Sequence, residues 1–320
     1  MRDIEKNINL PYDKLARECG IINPENPKEV INLVSELSYK YTKDDLVQIY
    51  NYFFEYSNCY EVLMFLLGKI DKLRDKSSIP ILIDSLLMKE KMSQRISDSD
   101  NLTTIRTHIA KVLANTKNSQ AVYPLLYCLN NKSENYKIKL SCADALGRIG
   151  DRYAVLPLIK IIEDDNEQSV YVKESAVSAL GMIGDEKAVD SLVSILETTK
   201  GFLSKFTFLK ERALEALNKL GFKNDRVIRA VEKSLNDESP QIRINAIEVL
   251  MNSTNSRAPM LIKKMLLDSN EQVVKSAVIA LYNIYDIKII DEIIDNPQMP
   301  DNAKTAAVAL KDELEEDEDD

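Results

Sequence analysis

Along most of the 320-residue chain, apolar residues recur at steps of three and four, the spacing that lines one face of an α-helix. The pattern itself recurs. Seven leucines (Leu113, Leu146, Leu180, Leu217, Leu250, Leu281 and Leu310) stand 33, 34, 37, 33, 31 and 29 residues apart. Four before them stand Ile109, Cys142, Ala176, Ala213, Ala246, Ala277 and Ala306; one before them stand only valine and alanine. Ile105, Ile138, Val172, Leu209 and Ile242 stand eight before, and Ile149, Ile183, Leu220 and Ile284 three after. Together these positions predict one buried-face helix per repeat, with small alanines that let a neighbouring helix approach.

A second apolar run follows each leucine after a short polar turn, as in Ala154–Ile162, Ala188–Leu196, Val227–Leu235 and Ala258–Leu266. Gly150-Asp151, Gly184-Asp185 and Gly221 with Asn224-Asp225 separate the two runs. Glycine just past the last periodic residue is the expected C-terminal cap of a helix. No alternating β-type run competes, so the chain is predicted to be all-α. A self-similar period of this length marks a solenoid, in which each unit packs on its neighbours.

The phrases ALGRIGD-x-x-AV-x-PL from Ala145 and ALGMIGD-x-x-AV from Ala179 resemble HEAT repeats, in the short variety also found in phycobilin lyases. The resemblance covers roughly residues 100–314, with a weaker copy at Leu67–Ile70 followed by Ile79–Leu87. It implies an α-solenoid: a right-handed superhelix of stacked antiparallel helix pairs, about seven HEAT-like repeats in all. The second helix of each pair would line an inner, concave surface. The expected organisation is a divergent helical cap over 1–60, a continuous solenoid over 61–311 and an acidic disordered tail over 312–320.

A basic residue stands seven before the leucine in five repeats: Arg106, Lys139, Lys173, Lys210 and Arg243. Such a column can face an anionic ligand. The favoured reading is internal, with each cation bonded to turn carboxylates and carbonyls between neighbouring repeats, because the spacing follows the repeat and no ligand geometry.

Charge adds one qualification. The net charge is −9, but residues 312–320 (DELEEDEDD) hold eight of the 51 acidic residues, leaving 42 bases against 43 acids elsewhere. Like-charge blocks usually read as self-repelling tails. The near-neutral body lacks the basic stripe that phosphate-backbone binding requires and so disfavours nucleic acid. Four scattered cysteines without a C-x-x-C pair, no signal-like start and no 18-residue apolar run predict a soluble cytoplasmic protein with no membrane span.

The period fails at three places. Residues 1–60 hold seven of the fourteen tyrosines, with Tyr52, Tyr56 and Tyr60 four apart, as on one helical face. Asn26-Pro27 and Thr42 with Asp45 are helix-start signals there. Residues 88–104 are polar and read as a surface loop. Residues 200–212 (KGFLSKFTFLKER) interleave Phe202, Phe206 and Phe208 with basic residues, which suits either a contact site or gap-filling between repeats.

Counting from the leucine also selects the polar face of each second helix. It carries His108 and Lys111, Asp144 and Arg148, Ser178 and Met182, Arg212, Glu215 and Lys219, and Glu248 and Asn252. These residues, with Phe202 and Phe206, are the candidate partner-binding set. Their mixed charge suits a protein or peptide. Catalysis has little support. The chain has one histidine, which removes multi-histidine metal sites and separates it from the HEAT-repeat deoxyhypusine hydroxylases, and no cofactor is expected. Gly147, Gly150, Gly181 and Gly184 serve helix ends, not a phosphate loop. The leading expectation is a non-enzymatic interaction scaffold. The alternatives are a bilin-lyase-type enzyme or accessory subunit, and a HEAT-like DNA-binding protein, both resting on analogy of fold.

Overall fold

A computed structural model of the protein describes residues 12–21, 24–164, 169–198, 207–221 and 225–318. Among the described residues every regular element is helical, and packing divides the chain into two compact units, through Ala154 and from Val155 onward.

The first unit contains α1 (Tyr12–Glu18), α2 (Pro27–Lys40), α3 (Lys43–Tyr56), α4 (Tyr60–Leu73), α5 (Ile79–Leu87), α6 (Lys89–Arg95), α7 (Ser99–Thr116), α8 (Val122–Asn130) and α9 (Tyr136–Ile149). The helix-start signals are used. Asn26 accepts from the Lys28 N–H with Pro27 in the first turn, and Thr42 and Asp45 form a reciprocal capping box. The long helices α4, α7 and α9 stack side by side, while α5 and α8 form a second layer.

The second unit alternates short and long helices: α10 (Val155–Glu163), α11 (Val170–Ile183), α12 (Val189–Glu197), α13 (Thr207–Leu220), α14 (Asp225–Ser234), α15 (Pro240–Met251), α16 (Ala258–Lys264), α17 (Glu271–Tyr285), α18 (Lys288–Asp295) and α19 (Asp301–Glu318). Here α11, α13, α15, α17 and α19 pack in succession as one layer. All seven period leucines are buried, each contributing about 2 kcal/mol by removal from water. The alanines between them set the spacing of the layer.

Helix ends follow the glycine signal. Gly150 and Gly184 adopt left-handed φ of 78° and 73°, and their N–H groups return to Leu146 O and Leu180 O. Lys117 occupies the same place after α7 with φ 49°, where a side chain is strained. Lys117→Gly is expected to stabilise the protein by about 0.5–1 kcal/mol. Thermal unfolding checks this: the midpoint should rise by a few degrees, and a fall would refute it.

Three sequence expectations are corrected. Residues 88–104 are not a loop: α6 takes 89–95 with Met92 buried, Ile96 just past its end is also buried, and Asp98 caps α7, which begins at Ser99. Arg95 anchors α6 by donating to Phe54 O at 2.5 Å and Ser57 O at 2.6 Å, satisfying the open end of α3. Tyr60 does not continue the face of Tyr52 and Tyr56, because α3 ends at Tyr56 and α4 begins at Tyr60. Tyr52 and Tyr56 stack at 4.4 Å and Tyr12 of α1 joins them at 5.8 Å, so this aromatic group ties α1 to α3. Finally, the acidic stretch from Asp312 continues α19 as helix to Glu318. Glutamates favour helix, and Lys275 and Lys311 pair with Glu313 and Asp291.

Candidate partner-binding surface

The basic column is an internal device. Arg106 is 2% exposed; its guanidinium donates to Leu86 O at 2.9 and 2.7 Å and to both Glu134 carboxylate oxygens at 2.8 and 2.7 Å. Lys173 donates to Ile162 O and Asp164 O, each at 2.8 Å. Lys210 pairs with Asp237 at 2.8 Å, and Arg243 holds the Asp268 carboxylate with two bonds and Asp237 O with a third. Lys139 is likewise buried. Arg106, Lys210 and Arg243 each reach a carboxylate of the turn that follows, and Lys173 closes the end of α10, which is the internal use the spacing favoured.

The polar faces of the long helices form two patches, one in each unit. In the first unit, Asn115 bridges rows: its amide donates to Asp71 of α4 at 2.7 Å and its oxygen accepts from Arg148 of α9. Arg148 also lies 3.9 Å from Asp144. His108 is half-buried beside exposed Lys111, and burial, then the lysine charge, lowers its pKa and keeps the ring neutral at pH 7.

In the second unit, Arg212 donates to Glu174 of α11 at 3.1 Å and to Glu215 of its own helix at 2.6 Å. Both carboxylates, Glu215 first, raise its pKa. Asn252 of α15 donates to Asn218 of α13 at 2.8 Å. Met182, Lys219, Glu248 and Asn252 are exposed and Ser178 is half-buried. Not every polar side chain of α15 joins this face: Asn245, five before Leu250, is 7% exposed and accepts from Gln241.

Phe202 and Phe206 lie outside the described residues. Their neighbour Phe208 stacks on the exposed ring of Tyr171 of α11, with centroids 6.0 Å apart and planes nearly parallel.

One surface escaped the sequence reading. Tyr123 and Tyr127, one turn apart on α8, are 71% and 67% exposed and border a groove of about 890 Å³ with Leu87, Pro124 and Leu126. The matching outward positions of α12 are Asp190 and Ser194, and Asp190 pairs with Arg226 of α14. Comparison of outward columns between repeats would have exposed the difference; counting from the buried leucine did not.

Among the described residues no group of three or more His, Cys, Asp or Glu side chains gathers to hold a metal, and no helix is long and apolar enough to cross a membrane.

The HEAT repeats family model matches residues 90–170, 131–205 and 208–282, together more than half of the chain. No curated protein sequence matches it. Among solved structures, the karyopherin Kap121p bound to the extreme C-terminus of the protein phosphatase Cdc14p aligns with a TM-score of 0.56 at 11% identity, over 95% of this chain and 38% of the karyopherin. The CpcE–CpcF phycocyanin lyase complex from Nostoc sp. PCC7120 aligns at 0.44 and 22% identity, over 74% of this chain and 94% of that one. Human deoxyhypusine hydroxylase aligns at 0.37 and 16% identity, over 86% and 97%. With its helix-pair period, glycine caps and buried cation ladder, this chain belongs to the HEAT-repeat family of α-solenoid proteins.

Proposed function

We propose that the protein is a non-enzymatic scaffold that binds a protein segment along the open face of α11, α13 and α15. One observation carries this reading: Met182, Lys219, Glu248 and Asn252 remain exposed on successive stacked helices, while the repeat's conspicuous cations are consumed internally. A face of mixed sign with an exposed methionine matches a peptide carrying both charges and apolar side chains. Burial of the cation ladder removes the basic stripe that a nucleic-acid partner would need. The karyopherin of similar fold, seen with a phosphatase tail bound, supports the same reading.

Exchanging exposed charges tests it without disturbing the core. The purified chain is expected to retain a stoichiometric protein partner from lysate of its source organism. Lys219→Glu with Glu248→Lys should weaken that complex at least about tenfold, the equivalent of 1.4 kcal/mol, at unchanged melting temperature. Equal affinity of the double variant, or no partner at all, would refute the assignment.

A further inference from the structure

Polar bridges close three successive seams between the short helices of the second unit. Ser191 of α12 donates to Glu163 of α10 at 2.8 Å, and Arg226 and Lys233 of α14 pair with Asp190 and Glu197 of α12. Arg257, just before α16, pairs with Glu232 of α14 at 2.7 Å. The seam between α5 and α8 in the first unit is built differently. These helices pack side by side, yet among the described residues no hydrogen bond or ion pair joins them. Where α12 carries Asp190 and Ser194, α8 carries the exposed Tyr123 and Tyr127, and the seam opens as the groove that Leu87, Pro124 and Leu126 also line.

The chemistry of the lining is one-sided. No carboxylate borders the groove, and its one charged residue is Lys132, exposed just past the C-terminal end of α8 and without an ion-pair partner among the described residues. The nearest carboxylate along the chain, Glu134, is held by Arg106 at 2.7 Å. Asn131 accepts from the Ser133 N–H and hydroxyl through its side-chain oxygen, which leaves its amide hydrogens for a ligand. Two phenol hydroxyls, an amide and an ammonium therefore offer donors, and the cation at one end calls for an acid.

A polyproline II segment meets each of these demands. Its rings are apolar and pack on aromatic faces. Proline has no N–H, so its backbone presents carbonyls that need donors from outside. The spacings also agree. One helical turn sets Tyr123 and Tyr127 about 6 Å apart along α8, and two residues of polyproline II advance about 6 Å. An amphipathic helix would satisfy its own carbonyls and require an apolar trough several turns long, whereas the apolar lining on α8 spans about one turn.

We infer that the groove between α5 and α8 binds a proline-rich segment of a partner protein in the polyproline II conformation, with an acidic residue beside the prolines meeting Lys132. The site uses none of the residues assigned to the face of α11, α13 and α15 and does not rest on that assignment.

Fluorescence anisotropy with the full chain tests it. The probe is a labelled synthetic peptide of consecutive prolines with a glutamate at each end. Saturable binding is expected, weakened at least about tenfold when alternate prolines are replaced by glycine. Tyr123→Ala with Tyr127→Ala should weaken it by a similar factor at unchanged melting temperature. Lys132→Glu should reverse the preference between this probe and one carrying lysine at each end, which the wild type binds about threefold more weakly. Lys219→Glu with Glu248→Lys should leave the probe's affinity unchanged, so the two binding assignments stand or fall separately. No saturation by about 1 mM probe, or full affinity in both the tyrosine and the Lys132 variants, would overturn the inference. Sedimentation velocity supplies the other decisive outcome: a wild-type dimer that the tyrosine substitutions dissociate would make a second copy of this chain the occupant and overturn it as well. Lys132→Glu alters only an exposed side chain, so the test holds even if the tyrosine variant fails to fold.

Discussion

Arg106→Ala is expected to destabilise the first unit by about 3–5 kcal/mol, the typical cost of leaving one member of a buried ion pair uncompensated. Glu134 would be left without its guanidinium partner at a side-chain exposure of 4%, and Leu86 O would lose both guanidinium bonds. Since a domain's net stability is only about 5–15 kcal/mol, this is a large fraction of what holds the unit together. A urea titration followed by circular dichroism gives the measurement. The comparison that isolates the cause is Arg106→Met with Glu134→Leu, which removes both charges and should recover most of the loss. If the double variant is no better than the single one, packing of the arginine stem and not the stranded carboxylate sets the cost. Arg243→Ala should cost less, because its pair with Asp268 is more open to water, at 12% and 9% side-chain exposure.

Gly181→Ala is expected to cost about 1–3 kcal/mol, the range for forcing extra volume into a packed core. A Cβ on Gly181 would sit 2.8 Å from both Cα and Cβ of Ala216, so α11 and α13 would have to separate. The clash is with backbone and a side chain that cannot turn away, so no rotamer change relieves it. Gly184→Ala, one turn later, meets no neighbour within 4 Å and suffers instead from its left-handed φ of 73°. Chemical denaturation of the two variants should therefore separate their causes. Replacing Ala216 by Gly should partly rescue Gly181→Ala and do nothing for Gly184→Ala. A neutral Gly181→Ala would mean that the two helices are free to move apart.

Much of this fold was legible because HEAT-like repeats write the same local physics several times. Buried leucines, alanines and helix-ending glycines each answer a requirement that recurs at a fixed distance along the chain, so counting from one residue locates the others. The cation column was legible for the same reason. Residues 88–95 were not, since a seven-residue helix with one buried residue leaves too little periodicity, and Arg95 has its reason only in the carbonyls of α3 and its cap, about forty positions away. The candidate surface divides in the same way. Polar positions on each long helix followed from the period, but the burial of Asn245 and the bridge from Asp71 through Asn115 to Arg148 depend on which rows meet.

The sequence by itself determined the helix class, the period, the buried stripe and the internal use of Arg106, Lys173, Lys210 and Arg243. These are near-neighbour properties of a quasi-linear stack, fixed by contacts within one repeat and with the next. Only the tertiary structure decided which polar residues stay exposed and how closely Gly181 meets Ala216. Those facts depend on side chains that approach from separate helices, and no spacing along a single helix encodes the distance between two of them.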